Sequence, residues 1–146
     1  MKRAVFPGSF DPFTIGHYDI VCRGLKLFDE IIIGVGCNIE KNSLYTVNQR
    51  VEQIQRVFSH EPRVKVATYD NLTIDFASEQ KAGFILRGAR SSTDFEYERN
   101  LADINRCLSG IETVIICSTP QYSMVSSSMV RELLHYGKDI SEFLPK

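Results

Sequence analysis

Tryptophan is missing from this sequence, histidine occurs three times, and no apolar run is long enough to span a bilayer. Cys22, Cys37, Cys107 and Cys117 show no Cys-x-x-Cys spacing and sit in apolar segments. Reduced, buried thiols are expected, not disulfides or a metal set. His17, His60 and His135 are scattered, without an acidic or thiol partner at a helical or hairpin offset, which argues against structural zinc. No charge of one sign dominates either. The 17 Lys and Arg against 18 Asp and Glu leave a formal charge of −1, no footprint for DNA, RNA or an anionic membrane. Any phosphate binding must therefore be local. Met1-Lys2-Arg3 and the short apolar run before Pro7 lack the apolar stretch of a signal peptide, and repeats and low-complexity tracts are absent. A cytoplasmic protein with no nucleic-acid or membrane partner is expected. It should be one domain over residues 1–146, burying roughly 70% of the surface of its unfolded chain.

What is present is a regular alternation. Arg3-Ala4-Val5-Phe6 reads as a strand stopped by Pro7-Gly8. A helix is expected from about Ile15 to Phe28, with Val21, Leu25 and Phe28 on one stripe. Residues 31–35 read as a buried strand, and Thr46-Val47-Asn48-Gln49 is a capping box that opens an amphipathic helix. A strand at 64–69, a short helix at 72–81 and a buried strand at 84–86 follow, the last ending at Arg87-Gly88. The next helix carries Tyr97, Leu101, Ile104 and Leu108 on one stripe and ends near Gly110, before a strand at 113–117. A last helix starts in Ser126-Ser127-Ser128 and stops at Gly137. Five β-α units in strict alternation predict an α/β fold, a Rossmann-like doubly wound five-stranded parallel sheet with helices on both faces.

Ligands of such sheets bind beyond the carboxyl ends of the strands. The residues just after each strand should then be polar or glycine-rich, and they are. Gly8, Ser9 and His17 follow the first strand, Asn38 and Lys41 the second, Arg87, Gly88 and Arg90 the fourth, and Ser118 and residues 126–128 the fifth. Cations, hydroxyls and helix starts favour negative charge on oxygen, which suits phosphate chemistry. Neither a Walker sequence nor Gly-x-Gly-x-x-Gly is present. Gly16-His17 opens the first helix, where backbone N–H groups, the helix dipole and an imidazole converge.

Thr14-x-Gly16-His17 is similar to the [HT]-x-G-H signature of the nucleotidylyltransferase superfamily. Pro7-Gly8-Ser9-Phe10-Asp11-Pro12 precedes it. Arg87-Gly88-x-Arg90 with Asp94-Phe95-Glu96-Tyr97-Glu98, and Val125-Ser126-Ser127-Ser128-x-Val130-Arg131, follow in order. Together these resemble the bacterial phosphopantetheine adenylyltransferases, from Met1 to Phe143-Leu144-Pro145. Members of that family continue with a short helix where this sequence stops at Lys146, a difference expected to leave the chemistry intact.

The resemblance implies attack of 4′-phosphopantetheine on the α-phosphorus of ATP, giving dephospho-coenzyme A and pyrophosphate without a covalent intermediate. It assigns catalytic roles to His17, Lys41, Arg90 and Ser128. ATP would be held by Ser9, Phe10, His17, Gly88, Ala89, Arg90, Glu98, Tyr122, Ser123, Met124, Val125, Ser126, Ser127 and Ser128. The acceptor would be held by Ser9, where the family usually has threonine, and by Lys41, Thr73 and Arg87. The Thr73 side chain has a second reading, as a cap of the third helix. Mg²⁺ is expected to arrive with ATP, no protein-held metal being called for. The resemblance also implies a homohexamer and coenzyme A as a feedback ligand. Two alternatives stand beside this reading. One is a cytidylyltransferase of the same superfamily, disfavoured by Thr14. The other is a non-catalytic nucleotide sensor, disfavoured by the joint presence of His17, Lys41 and Arg87.

Overall fold

The computed structural model describes residues 1–37 and 43–146. Strands β1 (Arg3–Gly8), β2 (Glu30–Gly36), β3 (Val64–Tyr69), β4 (Phe84–Ala89) and β5 (Glu112–Cys117) alternate with helices α1 (Ile15–Gly24), α2 (Val47–Val57), α3 (Thr73–Glu79), α4 (Ser92–Ser109) and α5 (Ser127–His135). Every ladder is parallel and the sheet order is β3-β2-β1-β4-β5, the Rossmann-like arrangement expected from the alternation. The two-residue period of the strands splits the core. Ala4, Phe6, Ile31, Ile33 and Leu86 face α1 and α2 and pack with Val21, Ile54 and Phe58. Val5, Ile32 and Ile85 face the other way and pack with Ile74, Phe76 and Ala77 of α3. Among the described residues no helix is long and apolar enough to cross a membrane.

The chain passes from β1 outward to β3 and returns on the other side of β1 at β4. The order therefore reverses between β1 and β4, where a crevice opens at the carboxyl ends. The helices that begin there are capped by side chains: Thr14 for α1, Ser91 for α4 and Ser126 for α5, with Thr46 and Gln49 closing the expected capping box on α2. Gly110, at φ 77°, ends α4 in the left-handed conformation that glycine tolerates.

Three expectations need correction, and one open reading is decided. Pro7 and Gly8 do not stop β1 but lie within it, paired in register with Gly34 and Val35. Pro7 is tolerated because the ladder to β4 spans only Ala4 and Val5, so no donor is missed on that side. Helix α1 ends at Gly24, not Phe28. Its last turn tightens as Lys26 N–H bonds to Arg23 O and Leu27 N–H to Gly24 O, and Phe28 reaches the core from a turn. The apolar stripe of α4, which spacing alone leaves open between core and interface, faces outward: Tyr97 is 65% and Leu108 68% exposed, and Glu98 is the buried residue of that helix. The cysteines are free but not buried, with Cys107 and Cys117 exposed and Cys22 and Cys37 half-buried.

Candidate active site

The loop after β1 is the most constrained part of the crevice. Phe10 holds φ at 51°, a left-handed value that a bulky residue rarely adopts. Its ring lies over Gly8, where an added Cβ would sit 2.8 Å from the ring and push it aside. Four residues on, Thr14 and His17 cap α1 reciprocally. His17 N–H donates to Thr14 Oγ1 at 3.4 Å, and Thr14 N–H donates to His17 Nδ1 at 2.9 Å. Because Nδ1 accepts a backbone N–H, the ring proton belongs on Nε2, which is left for a ligand. Phe6, Phe10 and Phe13 surround the imidazole at centroid distances of 6.2, 5.0 and 5.4 Å. Burial first, then the charges of Arg87 and Arg90, lower its pKa to about 4. His17 is thus a neutral hydrogen-bond donor at physiological pH.

A cavity of about 370 Å³ opens in front of it. The first turns of α1 and α5 both reach this space, with Gly16 on one side and Ser126, Ser127 and Ser128 on the other. Their amides have no partner within the helix and favour anionic oxygen. The hydroxyls are largely spoken for. Ser126 Oγ accepts from Met129 N–H, Ser127 Oγ donates to Pro12 O at 2.7 Å, and Ser128 Oγ accepts from Arg131. Among the described residues the cations are Arg87, Arg90 and Arg131. Glu98 grips Arg87 with both oxygens, at 2.7 Å on Nε and 2.6 Å on Nη2, and Pro7 O takes Nη1. Burial opposes the Arg87 charge and the bound carboxylate outweighs it, so its pKa is raised. Arg90 is exposed and pairs with Asp94 at 3.4 Å.

A second cavity of about 270 Å³ adjoins the first and shares Pro7, Arg87 and Glu98 with it. Its other walls are mostly apolar: Leu72, Ile74, Leu101, Ile104 and Leu108, with Thr73, Asn105 and Thr113 among them. Thr73 does not cap α3. The capping position is Leu72, which makes no side-chain bond, and Thr73 Oγ1 lies 3.2 Å from Tyr69 Oη. Thr113 Oγ1 is buried without a partner.

The crevice brings together Ser9, Phe10, His17, Arg87, Gly88, Arg90, Glu98, Tyr122, Val125, Ser126, Ser127 and Ser128. Thr73 lies in the adjoining cavity. Lys41, like Asn38, lies outside the described residues. Three expected residues do not line the cavity. Ala89 is turned into the core, the Ser123 hydroxyl closes its own turn on Pro120 O, and Met124 is 72% exposed. Arg131 and Asp94, which do line it, were not among the expected site residues. Helical spacing carried the signal for Arg131, because it lies three and four residues after Ser128 and Ser127.

A family model described as cytidylyltransferase-like matches residues 5–133. The phosphopantetheine adenylyltransferase of Bacteroides fragilis is 56% identical over 146 residues, covering 100% of this chain and 97% of that one. This chain belongs to the phosphopantetheine adenylyltransferase family. Other phosphopantetheine adenylyltransferases, from Bacteroides thetaiotaomicron and Flavobacterium johnsoniae, are 54% and 49% identical over essentially the whole chain. Like the rest of this family, the chain is a nucleotidyltransferase. Its fold is shared with a bifunctional NMN adenylyltransferase/ADP ribose pyrophosphatase from Francisella tularensis, crystallised with AMP and a manganese ion. That match has a TM-score of 0.71 at 14% identity, over 99% of this chain and 44% of that one. A lipopolysaccharide core biosynthesis protein from Thermoplasma volcanium matches with a TM-score of 0.58 at 24% identity, over 82% of this chain and 97% of that one.

Proposed function

We propose that this enzyme transfers the adenylyl group of ATP to the phosphate of 4′-phosphopantetheine, releasing pyrophosphate and forming dephospho-coenzyme A. One observation carries the reading: a polar cavity at two helix starts meets an apolar groove at a single ion pair, Arg87–Glu98. A triphosphate suits the first and an uncharged arm the second, so the acceptor phosphate falls at Arg87, beside His17.

In this reading an oxygen of the acceptor phosphate forms a bond to the α-phosphorus while the bond from that phosphorus to the bridging oxygen breaks, and pyrophosphate leaves in line. The Nε2–H of His17 donates to the α-phosphate as charge builds there, and the first-turn amides of α1 do the same. The amides at Ser127 and Ser128, with Arg90 and Arg131, hold the β- and γ-phosphates. Gly88, Tyr122 and Val125 flank the nucleoside, while Ser9, Arg87 and Lys41 hold the acceptor phosphate and Thr73 its arm. Mg²⁺ is proposed to ride on the triphosphate and offset the leaving group's charge. The fit favours this over a protein cage, because the two carboxylates of the cavity among the described residues, Asp94 and Glu98, are paired with arginines.

The exposed α4 residues Tyr97, Ile104 and Leu108 support self-association, proposed as a homohexamer, and coenzyme A, which shares the acceptor's arm, is proposed as a feedback ligand. Four free thiols fit a reducing cytoplasm. The decisive experiment supplies 4′-phosphopantetheine, Mg²⁺ and either ATP or CTP, and follows pyrophosphate. Release with ATP alone is expected. Release with CTP alone would move the assignment to cytidylyl transfer, and binding without turnover would indicate a sensor.

A further inference from the structure

Four polar side chains are buried among the described hydrophobic core: Asp11, Thr14, Arg50 and Glu98, none more than 6% exposed. Thr14 caps α1 and Glu98 grips Arg87. Asp11 and Arg50 take no part in the chemistry described above: Asp11 lies in the loop after β1 and ties it to the chain before α2, and Arg50 is directed at that loop. From the first turns of α2, Arg50 donates from Nη1 to Ser9 O at 2.6 Å and towards Gly36 O at 3.5 Å, and from Nε to Tyr45 O at 3.2 Å. Asp11 accepts from Leu44 N–H and Tyr45 N–H, each at 2.8 Å, one on each oxygen. From the other side, Arg131 donates to Asp11 O and Ser127 to Pro12 O. Residues 9–12 are thus held from α2, from the chain that enters it, and from α5.

A buried guanidinium that spends its donors on neutral carbonyls is a demanding way to fill space, since an apolar side chain of similar volume would avoid the desolvation. What it secures is a conformation. Phe10, at φ 51°, persists in a strained region only where its neighbours over-determine it. The shortest of the Arg50 bonds falls on the carbonyl of Ser9, immediately before that strained residue.

We infer that Arg50 is a positioning residue: through the Ser9 carbonyl it fixes the strained turn at Phe10, and so fixes where the Ser9 hydroxyl meets the attacking phosphate. This rests on the proposed contact of Ser9 with the acceptor. Arg50 does not line the cavity and acts through the loop alone. A shift of the loop by about an ångström is enough to lose a factor on the order of 10² in rate.

The test compares the full chain with Arg50→Lys, which keeps the charge and loses the planar fork, and with Arg50→Ala, to which ethylguanidinium is added. Amide hydrogen exchange at Ser9, Phe10, Asp11 and Phe13 is followed beside steady-state pyrophosphate release. Exchange at those amides is expected to rise about tenfold or more in Arg50→Lys, with β4 and β5 unchanged. Its kcat should fall roughly 10²-fold with KM for ATP within about twofold. Ethylguanidinium should recover part of the kcat lost in Arg50→Ala. Should Arg50→Ala not fold, Arg50→Lys carries the test. Unchanged exchange in the loop, unchanged kcat per folded molecule, or faster exchange spread evenly over the sheet would each overturn the inference. If the wild-type protein released no pyrophosphate, the fault would lie with the proposed reaction, and the exchange measurement would still decide whether Arg50 holds the loop.

Discussion

The two cavities that meet at Arg87 and Glu98 are built in opposite ways. The first sets charged side chains and His17 around backbone donors, two helix starts and a strained loop, fixed by buried polar side chains behind it. The second is made of side chains, chiefly one apolar face of α4 laid beside α3. Backbone donors fixed in place suit charge that develops only in a transition state, because they need not reorganise when it appears. An apolar wall suits a substrate arm that is bound equally before and during reaction. The difference predicts a division of labour, with substitutions in the first cavity acting on kcat and those in the second on KM for the acceptor.

The largest effect should come from His17, which stands at the centre of the first cavity. His17→Ala removes one donor to the α-phosphate and is expected to lower kcat roughly 10²–10³-fold, with a smaller change in KM for ATP. Steady-state kinetics with both substrates varied check this. A raised KM at unchanged kcat would break the division at its strongest point.

Glu98 belongs to both cavities and should affect both. Glu98→Ala leaves the Arg87 charge in place, its side chain only 25% exposed, without a carboxylate. Breaking a fully buried pair costs about 3–5 kcal/mol, and the partial exposure of Arg87 reduces the expected loss to about 2–3 kcal/mol. Denaturant unfolding measures that loss, and kinetics should show kcat and acceptor KM worsening together. A change in one constant alone would mean that the pair serves one cavity only.

The same contrast explains what was legible in the sequence. The first cavity was readable because its parts are local. A cap such as Thr14 and His17, or serines opening α5, are set by spacings of a few residues, so the strand-end rule gathered its polar groups from the chain alone, while Phe10, Glu98, Tyr122 and Val125 came only with the family resemblance. The second stayed undecided, since apolar residues at helical spacing, such as Leu101, Ile104 and Leu108, look the same whether they face a core, a groove or an interface. Only the placement of α4 beside α3 separates these. Pro7 misled for a related reason. Its missing N–H matters only if β4 pairs alongside it, and that ladder stops at Val5. Arg50 carried little local signal, because beside nearby Tyr45 its partners Ser9 and Gly36 come from other elements.

The groove itself is tested by Leu101→Asn, which puts an amide on the apolar wall. The acceptor KM should rise about tenfold, the scale of one lost apolar contact, with kcat and KM for ATP nearly unchanged. A variant that loses kcat instead would show that the α4 face helps to align the reacting phosphate and is no passive wall.

The smallest effect concerns the state of His17. An imidazole with an ordinary pKa of 6.5 ionises at about 4 in the folded chain. Between these values the unfolded chain binds a proton that the folded chain does not. The stability from this group is therefore complete above pH 6.5, falls as pH drops towards 4, and is constant below that. At pH 5.5 the loss is about 1 kcal/mol, one unit below the unfolded value. Unfolding of the wild type and of His17→Gln, whose amide does not titrate, at pH 7.5 and 5.5 isolates the contribution. The variant should lose less stability than the wild type by about that amount. Equal losses would mean that Phe6, Phe10 and Phe13, with Arg87 and Arg90, do not hold the imidazole neutral. The imidazole would then still donate from Nε2, but its neutrality below pH 6.5 would owe nothing to the first cavity.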